Sequence, residues 1–224
     1  MINSKKDYYY YLNADRIALG RVNKGKNIQD FIKSFFLADE IWDFQKLLRK
    51  IEYYKNNKTS FFSKVRYAFL IRRFHKLSVK LGFSISANII GPGLSIAHHG
   101  TIIINSGARI GANCRIHCDV NIGTQAGYSD KAPKIGDNVY IGPGAKIYGA
   151  IQIANNTAIG ANAVVNMSFL KENTAIAGVP AKIISEQIDI YDLLIPATDI
   201  VSNPVYSEIL GQPASVQNAI RKGI

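Results

Sequence analysis

Two adjacent histidines, His98 and His99, lie within IIGPGLSIAHHGTIIIN (residues 89–105), a stretch otherwise suited to a dry core. An imidazole gains and loses its proton near neutral pH, so it can serve in proton transfer where most side chains cannot. His117, in CRIHCDV, and His75, in a basic segment, complete the set of four. Asp119 and Asp130 are able to orient an imidazole, although turn chemistry explains each equally well. Cys114 and Cys118 are too few for a disulfide framework or a structural zinc site, and they read as small core or corner residues. No metal site is expected.

What the histidines can do depends on the backbone that carries them. From Gly82 onward, isoleucine or valine recurs at 90, 96, 104, 110, 116, 122, 135, 141, 147, 153, 159 and 165. Most steps are six residues, often with a small residue after the aliphatic, as in IGANCR, IGDNVY and IGPGAK. A helix returns apolar residues every three or four positions and a half-buried strand every two. The six-residue rhythm fits a hexapeptide β-helix, in which each hexad is a short strand plus a turn and three hexads close one coil. Two steps break the rhythm. That from Ile96 to Ile104 is eight residues long and contains both histidines; that from Ile122 to Ile135 leaves room for a loop, GTQAGYSDKAPK. Insertions in a solenoid map to loops, often on the binding face. His98 and His99 are therefore expected at a disruption of the coil, outside its core.

Ahead of the coil the period is helical. Residues 1–80 hold no proline and only two glycines, Gly20 and Gly25. Between Ile28 and Tyr54 apolar residues return at helical spacing, through Phe31, Phe35, Ile41, Phe44, Leu47, Leu48 and Ile51. Ser60 can cap a further helix that Gly82 ends, and a short helix is expected around Tyr8 to Leu19. The net charge of +11 is confined to this region: residues 1–80 carry 18 Lys/Arg against 7 Asp/Glu, and the remainder carries 9 of each. Such asymmetry points to an anionic glycan, a membrane surface or nucleic acid, or to a solvated helical surface. No helix-turn-helix, zinc or RNA-recognition pattern is present, so nucleic acid is not expected. No apolar run reaches the roughly 18 residues that span a bilayer. The first residues lack the apolar core of a signal peptide, and a cytoplasmic setting is the simplest expectation.

Residues 82–185 resemble a hexapeptide-repeat acyltransferase of the serine acetyltransferase type. The resemblance rests on IGPGLSIAHHGTIIIN, NCRIHCDVNIG, APKIGDNVYIGPGAKIYG, AIGANAVV and IAGVPAKII, preceded by a helical region. It implies an α+β chain: an α-helical region (1–81), a left-handed parallel β-helix acyltransferase domain (82–185) and a C-terminal extension of unknown role (186–224). It also implies homotrimers, with Val139 and Tyr148 facing neighbouring subunits, and acetyl-CoA as donor. His98 occupies the position of the family's catalytic histidine, a general base that takes the acceptor's hydroxyl proton as it attacks the thioester. A backbone N–H would then steady the oxyanion. His99, His117 and Asp119 are expected as acceptor or supporting residues. Tyr140, Gly142, Ala145, Gly160, Ala161 and Lys182 are expected along the donor groove.

Three positions depart from the serine acetyltransferase pattern. Ala97 stands where an aspartate precedes the histidine, Ser84 where an aspartate orients it, and Ala132 where a second histidine lies. A site that holds an ammonium and a carboxylate should keep charged partners, because leaving such groups unpaired is costly. The acceptor expected from these departures is a hydroxyl of a sugar or polysaccharide, such as a capsule or O-antigen. The basic N-terminal region would hold an anionic glycan or permit peripheral membrane association. A serine acetyltransferase with a rearranged pocket and a non-catalytic trimeric scaffold are the alternatives.

Overall fold

The short strands after Gly82 pair with strands one coil away, never with the next strand in sequence until the very end, as a hexad rhythm requires. The computed structural model describes residues 1–21, 39–58 and 60–203. Its coil has three parallel faces. One stacks β1 (Phe83–Ser84), β3 (Ile102–Ile104), β6 (Val120–Gly123), β9 (Lys146–Tyr148) and β12 (Val164–Val165). The second stacks β4 (Arg109–Ile110), β7 (Lys134–Ile135) and β10 (Gln152–Ile153). The third stacks β2 (Ser95–Ile96), β5 (Arg115–Ile116), β8 (Tyr140–Ile141), β11 (Ala158–Ile159) and β13 (Ala175–Gly178); β14 (Ala181–Ser185) closes it antiparallel to β13.

All twelve hexad aliphatics are buried. So is a second inward row two residues earlier, which includes Leu94, Ala108, Cys114, Val120, Val139 and Ala145, because side chains of a strand alternate with period two. This second row corrects two expectations. The Ala145 methyl points into the prism core and cannot line a donor groove, and Val139 is covered by its own chain, with no face left for a neighbouring subunit. Burial also pushes the Cys114 thiol pKa well up, in keeping with a packing role. At the corners, Asn113, Asn138 and Asn156 take φ of 55°, 56° and 55°, a region asparagine tolerates. Their side chains form a ladder: Asn113 donates to Asn138 at 2.8 Å, and Asn138 to Asn156 at 2.9 Å.

Helix α1 (Lys5–Ala18) starts on the Ser4 cap, and α2 (Glu40–Asn57) on the Asp39 cap. Helix α3 (Phe61–Leu81) starts on a Ser60–Ser63 capping box and ends on Gly82 at φ 77°. The part of the expected Ile28–Tyr54 helix that holds Phe31 and Phe35 lies outside the described residues. Among those described, no helix is long and apolar enough to cross a membrane.

Helix α2 closes the open end of the prism. Phe44 packs against Phe74 and Phe83, each ring centroid 5.0 Å away, and Ile41 and Leu48 join the same core. The first coil has no preceding coil to satisfy its backbone, and Gln45 supplies the missing partner. Its amide donates to the Leu94 carbonyl at 2.7 Å and accepts from the Ile96 N–H at 3.2 Å. Replacing Gln45 with leucine should therefore destabilise the fold by about 1–3 kcal/mol, the effect of orphaning buried backbone groups. Urea unfolding checks this; a loss within a few tenths of a kcal/mol would mean that water takes over both bonds.

Residues 186–203, which matched no pattern in the sequence, fold back along the coil. A 3-10 turn (Ile190–Asp192) leads to the short helix α4 (Ala197–Ser202). Ile190 and Leu194 pack on Ala158 and Tyr140, while Ala197 and Ile200 pack on Ala14, Ile17 and Ala18 of α1. Thr198 continues the asparagine ladder by exchanging two hydrogen bonds with Asn113.

Candidate active site

The coil that starts at β2 needs 20 residues to reach the equivalent position in β5, against 18 between β8 and β11. The two extra residues bulge out after Ile96, where Gly100 takes φ 126°. His98 and His99 ride on this bulge and are exposed, while Ile96 and Ile102 on either side are buried. The fixed points beneath the bulge are Ile96, held by Gln45, and the Ala97 N–H, which donates to the Ile116 carbonyl at 3.0 Å.

Three rings climb one edge of the prism. The His98 and His117 centroids lie 5.6 Å apart, and those of His117 and Tyr140 lie 5.0 Å apart. The fold thus brings together three of the sequence's candidates: His98, His117 and, behind them, Tyr140, which was expected along the donor groove. The His117 Nε2 is buried without a protein hydrogen-bond partner. Burial lowers the pKa of His117, and its neighbours Arg115 and His98 lower it further, which favours the neutral ring.

Of the other candidates, His99 shares the bulge and the rest are spread along the coils. Asp119 is an exposed corner residue at φ 62°, and its partner is Lys146, whose ammonium also donates to the Asp119 carbonyl at 2.6 Å. Among the described residues it orients no histidine. Tyr140 is half-buried between His117 and the returning segment at Ile190 and Leu194. A Cβ on Gly142 would come within 2.8 Å of the Ala161 N and the Ile159 O, and one on Gly160 within 2.8 Å of the Ala177 Cβ. Both glycines are therefore required by coil stacking, whatever else they touch. Ala161 and Lys182 are exposed. Separately, a cleft of about 620 Å³ runs between Thr124, Gln125 and Ala126 of the protruding loop and Tyr148, Ile151 and Asn166 of the coils. Tyr148, expected at a subunit contact, forms part of its wall. The sequence flagged this loop by its broken register. The cover supplied by residues 186–203 had no such signal, because a short returning segment carries no repeat.

These features define a parallel hexapeptide coil with an exposed histidine on an interrupted edge, and comparison with known proteins agrees. Residues 132–166 match the bacterial transferase hexapeptide family (six repeats). The chain is 38% identical over 99 residues to a serine acetyltransferase of Staphylococcus epidermidis, covering 44% of this chain and 46% of that one. It thus spans about half the length of the curated relatives it matches. Among solved structures, the serine acetyltransferase of Brucella abortus strain S19 superposes with a TM-score of 0.60 at 25% identity, covering 82% of this chain and 71% of that one. Its complex with coenzyme A gives 0.61 at 26%, covering 82% and 70%. Together these likenesses support an acyltransferase of the left-handed β-helix superfamily.

They also overturn the expected sugar or polysaccharide acceptor, since the relatives and structural neighbours are named serine acetyltransferases. Arg115 lies close enough to act on His117, so a cation stands beside the histidines after all.

Proposed function

We propose that this chain transfers the acetyl group of acetyl-CoA to the hydroxyl of serine, with His98 as general base. The reading is carried by the exposed His98 on its bulge in a chain similar to serine acetyltransferases. A serine hydroxyl is a poor nucleophile at neutral pH, and a neutral imidazole can take its proton during attack on the thioester carbonyl. Attack forms the new C–O bond and a tetrahedral oxyanion, which collapses as the C–S bond breaks, and the proton passes from the imidazole to the departing CoA sulfur. A neutral His117 with a free Nε2 is suited to a hydrogen bond with the acceptor, and Arg115 to its carboxylate. Exposed Ala161 and Lys182 suit the donor, the lysine as a point charge for phosphate. Thiol release from acetyl-CoA with L-serine, followed against D-serine, simple sugars and no acceptor, tests the reading. Stimulation by L-serine alone is expected, and release no faster than hydrolysis would sink it.

His117 gives a separable prediction. His117→Phe should raise the KM for the acceptor by up to roughly 10-fold, the worth of one hydrogen bond, with kcat and the KM for acetyl-CoA little changed. A fall in kcat at constant KM would instead put His117 in proton transfer. The lowered pKa also sets a sign. Below the ordinary value of 6.5 the unfolded chain takes up the proton before the folded one, so this histidine's contribution to stability is present above that pH and lost as pH falls below it. Urea midpoints at neutral and mildly acid pH should show a smaller acid loss in the phenylalanine variant.

A further inference from the structure

Helix α3 carries two apolar lines, and the core uses only one. Leu70, Phe74, Leu77 and Leu81, spaced four, three and four residues apart, face the protein, and Phe74 and Leu77 pack on the main core. On the opposite side Phe61, Val65, Phe69, Arg72, Lys76 and Val79 follow the same helical spacing, and all six are exposed. The exposure is not marginal: Phe61 is 75% exposed, Phe62 82%, Phe69 71% and Val79 70%. Three phenylalanines clustered on the first turns of one helix exceed the scattered exposed apolar residues of an ordinary surface.

Charge identifies what would cover them. The helix holds three arginines and three lysines and no carboxylate. Lys80 pairs with Glu40, and Arg66 lies over the Tyr54 ring. Lys64, Arg72, Arg73 and Lys76 make no ion pair within the described residues. A second copy of this face would bring like charges together, which disfavours self-pairing. A soluble anionic glycan would satisfy the cations and leave the phenylalanines in water. An anionic bilayer satisfies both, since headgroups meet the cations while the aromatic rings enter the acyl boundary.

We infer that the outer face of α3 docks this protein on anionic lipid surfaces, through insertion of Phe61, Phe62 and Phe69 beside the Arg72, Arg73 and Lys76 cluster. Binding of this kind weakens with salt and with loss of either component.

Flotation of the full chain with vesicles of phosphatidylcholine mixed with phosphatidylglycerol, against pure phosphatidylcholine, tests it. The protein should float with the mixed vesicles only and be released by added salt. Neutralising Arg72→Gln, Arg73→Gln and Lys76→Gln together should weaken partitioning roughly 100-fold, from the usual contribution of each basic residue near a charged leaflet. Phe61→Ser with Phe69→Ser should abolish flotation, with thermal unfolding unchanged because both side chains are exposed. Should that variant fail to fold, Phe62→Trp provides a second reading: its emission should shift to the blue on anionic vesicles. Failure to float, or no blue shift with binding to a soluble anionic polysaccharide instead, would overturn the inference. So would serine variants that break an oligomer in the absence of lipid.

Discussion

Replacing His98 with asparagine is expected to lower turnover by about 10²–10⁴-fold, the range that a positioned general base contributes. Stability should hardly change, because the ring is exposed on a bulge and the register on either side is fixed by Ile96 and Ile102. Acetyl-CoA affinity should survive as well, since the proposed donor contacts lie on later coils. A single-turnover assay of thiol release, with calorimetric titration of acetyl-CoA, separates these properties. Near-normal turnover in His98→Asn with a collapse in His99→Asn would move the base by one residue along the same bulge. Loss of activity together with loss of donor binding would mean that the bulge shapes the donor groove and that the catalytic assignment is wrong.

The bulge itself was legible in the sequence because a β-helix is a counting device. An eight-residue step in a six-residue rhythm has nowhere to put the surplus except outside the prism, and the structure puts it there. The twelve aliphatics were legible for the same reason. The second inward row was not: it is filled by Ala, Cys, Val, Ile and Leu of very different size, and Ala145 among them looked like a residue free to touch a ligand. The asparagine ladder was likewise unread, because one asparagine per corner looks like turn chemistry until the coils are stacked. The acceptor was misread for a different reason. That reading rested on Ala97, Ser84 and Ala132, where the pattern has two aspartates and a histidine. It left out Arg115, which opens β5 two residues before His117 and offers a cation to an amino-acid carboxylate.

What lies least within reach of any periodicity is the join between the helices and the coil, and there the second large effect is expected. Arg49 is completely buried. Its guanidinium bonds Asp15 at 2.7 Å and 3.2 Å and Glu52 at 2.9 Å, and donates to the carbonyls of Ile90 at 2.9 Å and Gly91 at 2.6 Å. Burial works against its charge, but the two carboxylates outweigh burial and hold it protonated. Asp15 in turn accepts from the Gly93 and Leu94 N–H groups, each at 2.9 Å, so one network ties α1 and α2 to the segment that leads into the histidine bulge.

Arg49→Met keeps the volume and removes the charge, leaving two buried carboxylates and two carbonyls without their partner. Breaking a buried pair in this way destabilises by about 3–5 kcal/mol, which for a chain of this size lowers Tm by roughly 10 °C. Adding Asp15→Asn and Glu52→Gln should recover part of that loss by removing the stranded charges, but not all of it, because the Ile90 and Gly91 carbonyls remain orphaned. Thermal unfolding of the single and triple variants decides the matter. A drop of only a degree or two in Arg49→Met would show that the carboxylates take up protons and the network relaxes without strain. A full recovery in the triple variant would show that the backbone bonds contribute nothing. If both come out as expected, catalysis measured well below the new Tm should also fall in the single variant, because the anchor it loses sits only a few residues before His98.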